Sequence, residues 1–184
     1  MAWFHAHVHS EYSALDGIGS VTDLVQRAAK YKQPALALTD HGTMSGVVQL
    51  YQQCTRRGIL PFPGIEAYVV HDAKDKTQKR HHLTMLALNA DGYKALVRLT
   101  SLSHTRDRYH YKPRIDLGDL ASMAQEGATA NIAVLTGCYY SEVVQTLVMH
   151  GADRAEGVLA RWQSWFPNLF VELQHHNISH ALSD

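Results

Sequence analysis

The sequence contains few of the residues that would mark several protein classes. Only 2 of its 184 residues are cysteines, Cys54 and Cys138, which excludes a disulfide-rich secreted scaffold. Its 12 glycines and 5 prolines are too few for a collagen-like chain or a long flexible linker. Neither charge dominates, because 17 Lys and Arg balance 17 Asp and Glu. Binding of a nucleic acid would therefore need local sites rather than an overall basic field.

Long apolar runs and targeting segments are also missing. No apolar run reaches the roughly 20 residues that a membrane-spanning helix needs. The first residues lead directly into histidines, without the features of a signal peptide. We therefore expect a cytoplasmic protein with reduced thiols and no membrane contact. With 46% hydrophobic and 18% charged residues, residues 1–184 are expected to form one globular domain.

The pattern of apolar residues predicts an α/β chain. Short runs rich in valine, isoleucine and leucine alternate with segments of helical period, which is typical of βαβ construction. About six strands are expected, at residues 3–8, 35–39, 64–70, 83–88, 131–136 and 168–174. Helices are expected from 21 to before Pro34 and at about 45–57, 91–103, 141–150 and 153–166. Either a barrel or a doubly wound sheet would gather functional residues at the carboxyl ends of its strands.

Histidine is the abundant residue, with 13 copies. His5, His7 and His9 alternate along the first expected strand, so their imidazoles should project from one face. Neutral imidazole is the commonest metal ligand, and Asp16 lies within loop reach. The pattern favours a metal site over a solvated polar face. Because strand geometry rarely lets three such side chains reach one ion, one of them is expected only to support the others.

Further candidate ligands follow later strands. His41 ends the second expected strand beside Asp40, a carboxylate that could fix the tautomer of the ring, although the same residues also suit a simple turn. Glu66 lies in an otherwise apolar strand, where a carboxylate is stable if it bridges cations. An exposed edge strand is the alternative. His82 begins a strand, which is the wrong end for a parallel barrel, so local sequence leaves its role undecided.

Cys138 lies between the strand at 131–136 and a helix. This position is expected to lower the pKa of the thiol, which suits a thiolate ligand or a nucleophile, and a small buried residue is the alternative. Cys54 is expected in the core. The later histidines at 175, 176 and 180 are expected to be solvated.

Two basic segments remain without a place in this site. Residues 74–80 and 106–114 are rich in Lys and Arg, and the second also contains Tyr109 and Tyr111. Basic and aromatic residues together can bind single-stranded nucleic acid, but solvated loops are the simpler interpretation. Competing chemistries lack their signatures, since there is no Walker loop, no dinucleotide-binding glycine motif and no serine nucleophile elbow.

Taken in order, the motifs at 5–17, 39–42, 63–68, 82–88 and 137–138 resemble the polymerase and histidinol phosphatase (PHP) family, and specifically its polymerase branch. The resemblance implies a distorted (β/α)7 barrel. This barrel is expected to be incomplete at its C-terminus, because the family's late Asp-x-His pair is not found after the run that ends at Gln174. The resemblance also implies two to three divalent ions, zinc or manganese. The implied ligands are His7, His9, Asp16, His41, Glu66, His82 and Cys138, with His5 and Asp40 in supporting positions.

The resemblance also implies a function. The chain would be the N-terminal fragment of a longer replicative polymerase, with a phosphoesterase site that acts as a 3′–5′ proofreading exonuclease on the primer 3′ end of DNA. Other replisome subunits would be its partners. One alternative is a catalytically idle module that braces the polymerase and docks a proofreading subunit. The other is a small-molecule phosphatase of the histidinol phosphate type.

Overall fold

Residues 3–174, the part of the chain that the computed structural model describes, form six strands and six α-helices. The strands are β1 (Ala35–Leu38), β2 (Leu60–Val70), β3 (His81–Ala87), β4 (Ile115–Asp116), β5 (Ile132–Leu135) and β6 (Asn168–Phe170). The helices are α1 (Val21–Lys30), α2 (Val47–Thr55), α3 (Ala90–Ser103), α4 (Leu117–Gln125), α5 (Glu142–His150) and α6 (Ala152–Trp165). A short 3₁₀ helix, Ala128–Asn131, precedes β5.

Capping residues explain several of these boundaries. The hydroxyl of Ser20 accepts a hydrogen bond from Asp23 N at the start of α1, as the sequence predicts. The side chain of Asn89 accepts from Asp91 N and Gly92 N at the start of α3. Gly58, at φ +67°, follows the end of α2.

The strands form one mixed sheet in the order β1-β2-β3-β5-β6, with β4 paired to β2. β1 and β4 are parallel to β2, and β6 is parallel to β5. β3 alone runs in the opposite direction, antiparallel to both β2 and β5. The connection between β2 and β3 is the loop at 71–80, which has no crossover helix and so returns the chain antiparallel. The predicted α/β fold with an incomplete barrel is confirmed, because this sheet is not closed over the described residues.

Two sequence predictions need correction. Residues 3–8 form no regular strand, although Ala37 N donates to His5 O (3.1 Å) and Thr39 N donates to Val8 O (2.8 Å). Val8 N donates to the Thr39 hydroxyl instead of a backbone carbonyl, so the ladder beside β1 stays incomplete. The second correction is an omission, since β4 and α4 lie in a region for which the sequence predicted no element. The histidines at 175, 176 and 180 lie outside the described residues.

The main hydrophobic core lies between the sheet and helices α3, α4 and α6. Met85 and Leu96 are fully buried there, and Trp162 is nearly so. A second cluster joins α1, β1 and α2 and contains Cys54, the cysteine predicted to be in the core. None of the described helices is both long and apolar enough to cross a bilayer.

Candidate metal centre

Glu66 lies at the centre of a histidine cluster. It occupies the middle of β2, and its side chain is only 1% exposed. Its carboxylate oxygens approach four imidazole nitrogens, at 3.6 Å (His7 Nε2), 3.4 Å (His9 Nε2), 2.7 Å (His41 Nδ1) and 3.0 Å (His82 Nδ1). The four imidazoles come from three segments, since His7 and His9 share one, and Glu66 lies on a fourth. The main feature of the site is thus a buried carboxylate surrounded by four imidazoles.

Backbone pairing brings His41 beside Glu66. Glu66 N donates to Asp40 O (3.1 Å), and Gly42 N donates to Glu66 O (2.9 Å). Gly42 has φ +65°, and a Cβ atom there would lie 2.6 Å from the ring of Pro113, so this tight turn requires glycine. The turn that the sequence predicts at Gly42 therefore also positions His41 next to the carboxylate of Glu66.

The reversed direction of β3 accounts for His82. In a parallel barrel a residue at the start of a strand would lie at the opposite rim from His41. Because β3 is antiparallel to β2, its start lies beside the carboxyl end of β2, and His82 pairs with Tyr68. The objection that the sequence raises against His82 does not apply to this topology.

Asp40 acts through two serines rather than on the ring of His41. Its carboxylate accepts from Ser10 N (2.7 Å), Ser10 Oγ (2.8 Å) and Ser13 Oγ (2.7 Å), and all three residues are buried. Ser13 Oγ also lies 3.3 Å from His9 Nδ1 and accepts from His41 N (3.0 Å). Asp40 therefore fixes the loop after His9, which differs from the expected contact with the neighbouring imidazole.

The same loop carries Asp16 to the solvent side of the cluster. Asp16 Oδ2 lies 2.9 Å from His41 Nε2, and its side chain is 51% exposed. His41 thus contacts a carboxylate through each ring nitrogen, Glu66 on the buried side and Asp16 on the open side. The cluster is reachable from solvent at this edge.

His5 and Cys138 differ from expectation. The side chain of His5 is exposed and its ring packs edge-on against Trp3 at 4.9 Å, so the structure does not bring it into the cluster. Cys138 Sγ lies 3.4 Å from His82 Nδ1. Burial raises the pKa of this thiol to about 11, and the nearby carboxylate of Glu66 adds to the effect, against a smaller opposing hydrogen bond from Tyr140 N. The expected lowering of the thiol pKa is therefore wrong for the metal-free chain.

Glu172 is a site residue that sequence reasoning missed. It follows β6, and its Oε1 lies 2.8 Å from His7 Nδ1. Glu172 N donates to Thr136 Oγ1 (3.0 Å), which holds the segment against the end of β5. With Nδ1 of His7 committed to Glu172, Nε2 is the nitrogen that faces Glu66. The available signal was a single acidic residue in the apolar run 169–173.

Burial and charge act against each other on the ionisable groups here. Burial by itself lowers the pKa of His7, but the hydrogen bond to Glu172 and the nearby carboxylate of Glu66 outweigh it and raise the pKa to about 9. The pKa of His41 is also raised, because Glu66 and Asp16 together outweigh burial. Burial and the neighbouring His41 lower the pKa of His9. Burial opposes ionisation of Glu66, but the close imidazoles of His41, His7 and His82 hold its pKa well below its ordinary range.

The cluster fits divalent cations. Three groups of residues could each hold one ion, because the ligand atoms within each group lie within 4.8 Å of one another. The groups are His7, His9 and Glu66; His9, Asp16 and His41; and His41, Glu66 and His82. Ligands about 2.1 Å from one ion are separated by about 3 to 4 Å, so small side-chain shifts suffice. Glu66 Oε2 and His41 Nδ1 are buried and only 2.7 Å apart, yet they do not form a hydrogen bond of acceptable geometry. A shared cation would satisfy both atoms, and nitrogen and oxygen donors suit zinc or manganese.

This site lies in a domain of a known family. The chain belongs to the PHP domain family, whose model matches residues 5–176. It is 38% identical over 190 residues to DNA polymerase III subunit alpha of Chlamydia pneumoniae, a match that covers 97% of this chain and 14% of that protein. The corresponding subunit of Deinococcus radiodurans is 38% identical over 188 residues, with 95% and 14% covered. The chain thus spans a small part of the length of these relatives.

Solved structures resemble the chain more distantly. An amidohydrolase from Chromobacterium violaceum is 22% identical with a TM-score of 0.43, covering 85% of this chain and 54% of that one. A protein from Bifidobacterium adolescentis, itself only proposed to be a metal-dependent phosphoesterase, is 21% identical with a TM-score of 0.41, covering 54% and 32%.

Proposed function

We propose that this chain is a metal-dependent phosphoesterase domain that removes nucleotides from the 3′ end of a DNA strand. The observation that carries the proposal is the buried carboxylate of Glu66, which lies close to four imidazoles from three separate segments. A buried carboxylate surrounded by imidazoles is costly to maintain for packing alone. Divalent cations would use the same atoms as ligands.

The residues that would hold the cations are those that the resemblance implies. Two or three ions, zinc or manganese, would bind among His7, His9, Asp16, His41, Glu66 and His82, with Cys138 beside His82. When bound, such ions supply hydroxide near neutral pH and stabilise charge on phosphate oxygens.

The chain's own residues prepare this site in three ways. Glu172 accepts a hydrogen bond from Nδ1 of His7 and leaves Nε2 directed at the cluster. The serine hydroxyls bonded to Asp40 fix the loop that carries His9 to Asp16. Asp16 lies on the exposed side, where the end of a polymer could enter without opening the fold.

The context of the activity is part of the same proposal. The relatives matched along almost the whole chain are DNA polymerase III alpha subunits. We infer that this domain belongs to a longer cytoplasmic polymerase, meets the primer 3′ end through the rest of that protein, and contacts other replisome subunits. Proofreading is the reaction that such a position favours.

The test uses a primer with a labelled 5′ end and a mismatched 3′ end, incubated with the protein and Mn²⁺ or Zn²⁺. The proposal predicts stepwise shortening of the primer, and Glu66→Gln should slow it by at least about tenfold. His5→Gln is the matched control, because His5 lies on the same segment as His7 but outside the cluster.

Primer that stays intact with both metals contradicts the proposal. Metal binding without hydrolysis of any phosphoester would then identify the idle bracing module. Hydrolysis confined to small phosphomonoesters would identify the phosphatase.

A further inference from the structure

The two basic segments that the site does not use meet in one pocket beside His82. They are the loop between β2 and β3 and the segment before β4, and residues 81–105 separate them in sequence. The pocket between them has a volume of about 400 Å³. We name it the basic pocket, and its defining residues are Tyr68, Lys76, Arg80, Tyr111, Lys112 and Tyr140. It borders the metal centre directly, since His82 also lines it.

A buried arginine holds the two segments together. The side chain of Arg114 has no exposed surface, and its guanidinium donates to the carbonyls of Asp75 (2.7 Å) and Lys76 (3.2 Å). These bonds cross from the second segment to the first. The two segments are therefore held together as one wall of the pocket. The sequence instead favours two independent solvated loops.

Within residues 3–174, the cations of the pocket have no anionic partner at ion-pair distance. Lys76, Arg80 and Lys112 form no ion pair within 4.0 Å among the residues that the structure describes. Lys112 Nζ and Arg80 Cζ instead lie 5.5 Å and 6.0 Å from the centroid of the Tyr68 ring. Arg114 adds a further positive charge that is bonded only to carbonyls. A ligand with more than one negative charge complements this arrangement.

Aromatic side chains stand exposed at the same pocket. Tyr111 is 81% exposed and has φ +58°, a strained conformation for a residue other than glycine. Tyr140 is 55% exposed, and its ring centroid lies 5.6 Å from that of His82. Tyr140 therefore offers an exposed aromatic ring in the pocket lining, next to His82.

We infer that the basic pocket binds a segment of single-stranded nucleic acid and directs its end toward His82. Lys76, Arg80 and Lys112 would contact successive phosphates, and Tyr111 and Tyr140 would stack on bases. Several unpaired cations interleaved with exposed rings suit a repeating phosphate and base polymer better than a single phosphorylated side chain. The orientation of the strand rests on the proposed function, whereas binding itself does not require the metal.

The test measures binding without cleavage. The fluorescence anisotropy of a labelled 12-nucleotide oligo(dT) is measured as the whole chain is added. The titration is run with a chelator present and repeated at several salt concentrations. Three phosphate contacts predict a slope of log affinity against log salt of about −2, from about −0.7 for each contact on a single strand. Lys112→Met should reduce the steepness by about 0.7, and Tyr140→Ala should weaken binding at least about fivefold.

Matched controls are Lys94→Met and Tyr51→Ala, which alter an exposed lysine and an exposed tyrosine away from the pocket. Unchanged thermal unfolding of every variant verifies folding. Salt-independent binding, or equal losses in the control variants, would overturn the inference. Stronger displacement by a tyrosine-phosphorylated peptide than by unlabelled oligo(dT) would also overturn it. The chelator removes divalent metal, so this assay measures binding alone. A failure of cleavage in the primer assay would therefore not contradict the binding inference.

Discussion

The stability of the metal-free chain should depend on pH through His7. Its pKa is raised from the ordinary value of 6.5 to about 9 by Glu172 and Glu66, against the effect of burial. A pKa that is higher in the folded state stabilises the fold while the group is protonated. This contribution is fully present below pH 6.5 and is lost as pH rises through 9. Since one pKa unit corresponds to about 1.4 kcal/mol, the whole contribution is on the order of 3 kcal/mol.

The assay is urea unfolding of the chain in the presence of a chelator, at pH values from 6 to 9.5. The quantity of interest is the free energy of unfolding of the parent minus that of His7→Gln, because other titrating groups then largely cancel. We expect this difference to shrink by about 3 kcal/mol over the range. His5→Gln, which alters an exposed histidine two residues away, is the matched control variant.

Metal provides a second arm of the same experiment. A ligating imidazole must be unprotonated, so saturating zinc or manganese should release the proton of His7 and flatten the pH dependence. A difference between parent and His7→Gln that stays constant from pH 6 to 9.5 without metal would refute the ionic pairing of His7 with Glu172 and Glu66.

Two further predictions concern residues that support the cluster. Glu172→Gln should weaken zinc or manganese binding by about 10- to 100-fold, because His7 loses the carboxylate that fixes its ring. Metal titration of this variant beside Glu156→Gln, which alters an exposed glutamate on α6, checks this, and equal affinities would contradict it. Asp40→Ala should lower the free energy of unfolding by roughly 3 kcal/mol, since three buried donors lose their acceptor. Chemical unfolding measures this effect, and a loss below about 1 kcal/mol would contradict it.

Local sequence was sufficient for most helices and for the chemistry of the cluster. Helical period and capping residues such as Ser20 and Asn89 act over a few residues, so α1 and α3 begin where the pattern predicts. The resemblance to a family supplied the set of candidate ligands. Six of these seven ligands appear in the groups of closely spaced ligand atoms, and Cys138 lies beside His82.

Long-range pairing decided what the local pattern could not. The strand expected at residues 3–8 depended on its ladder with β1, and a bond to the Thr39 hydroxyl interrupts that ladder. The position of His82 depended on the direction of β3, which a 10-residue loop without a helix reverses. Glu172 reaches His7 from 165 residues away.

The sequence by itself determined which residue types are present and where helices form, because propensity and capping depend on near neighbours. Only the tertiary structure decided which carboxylate meets which imidazole and that two separated basic loops share one pocket. Those outcomes depend on strand direction and on buried bonds such as those of Arg114, which join segments distant along the chain.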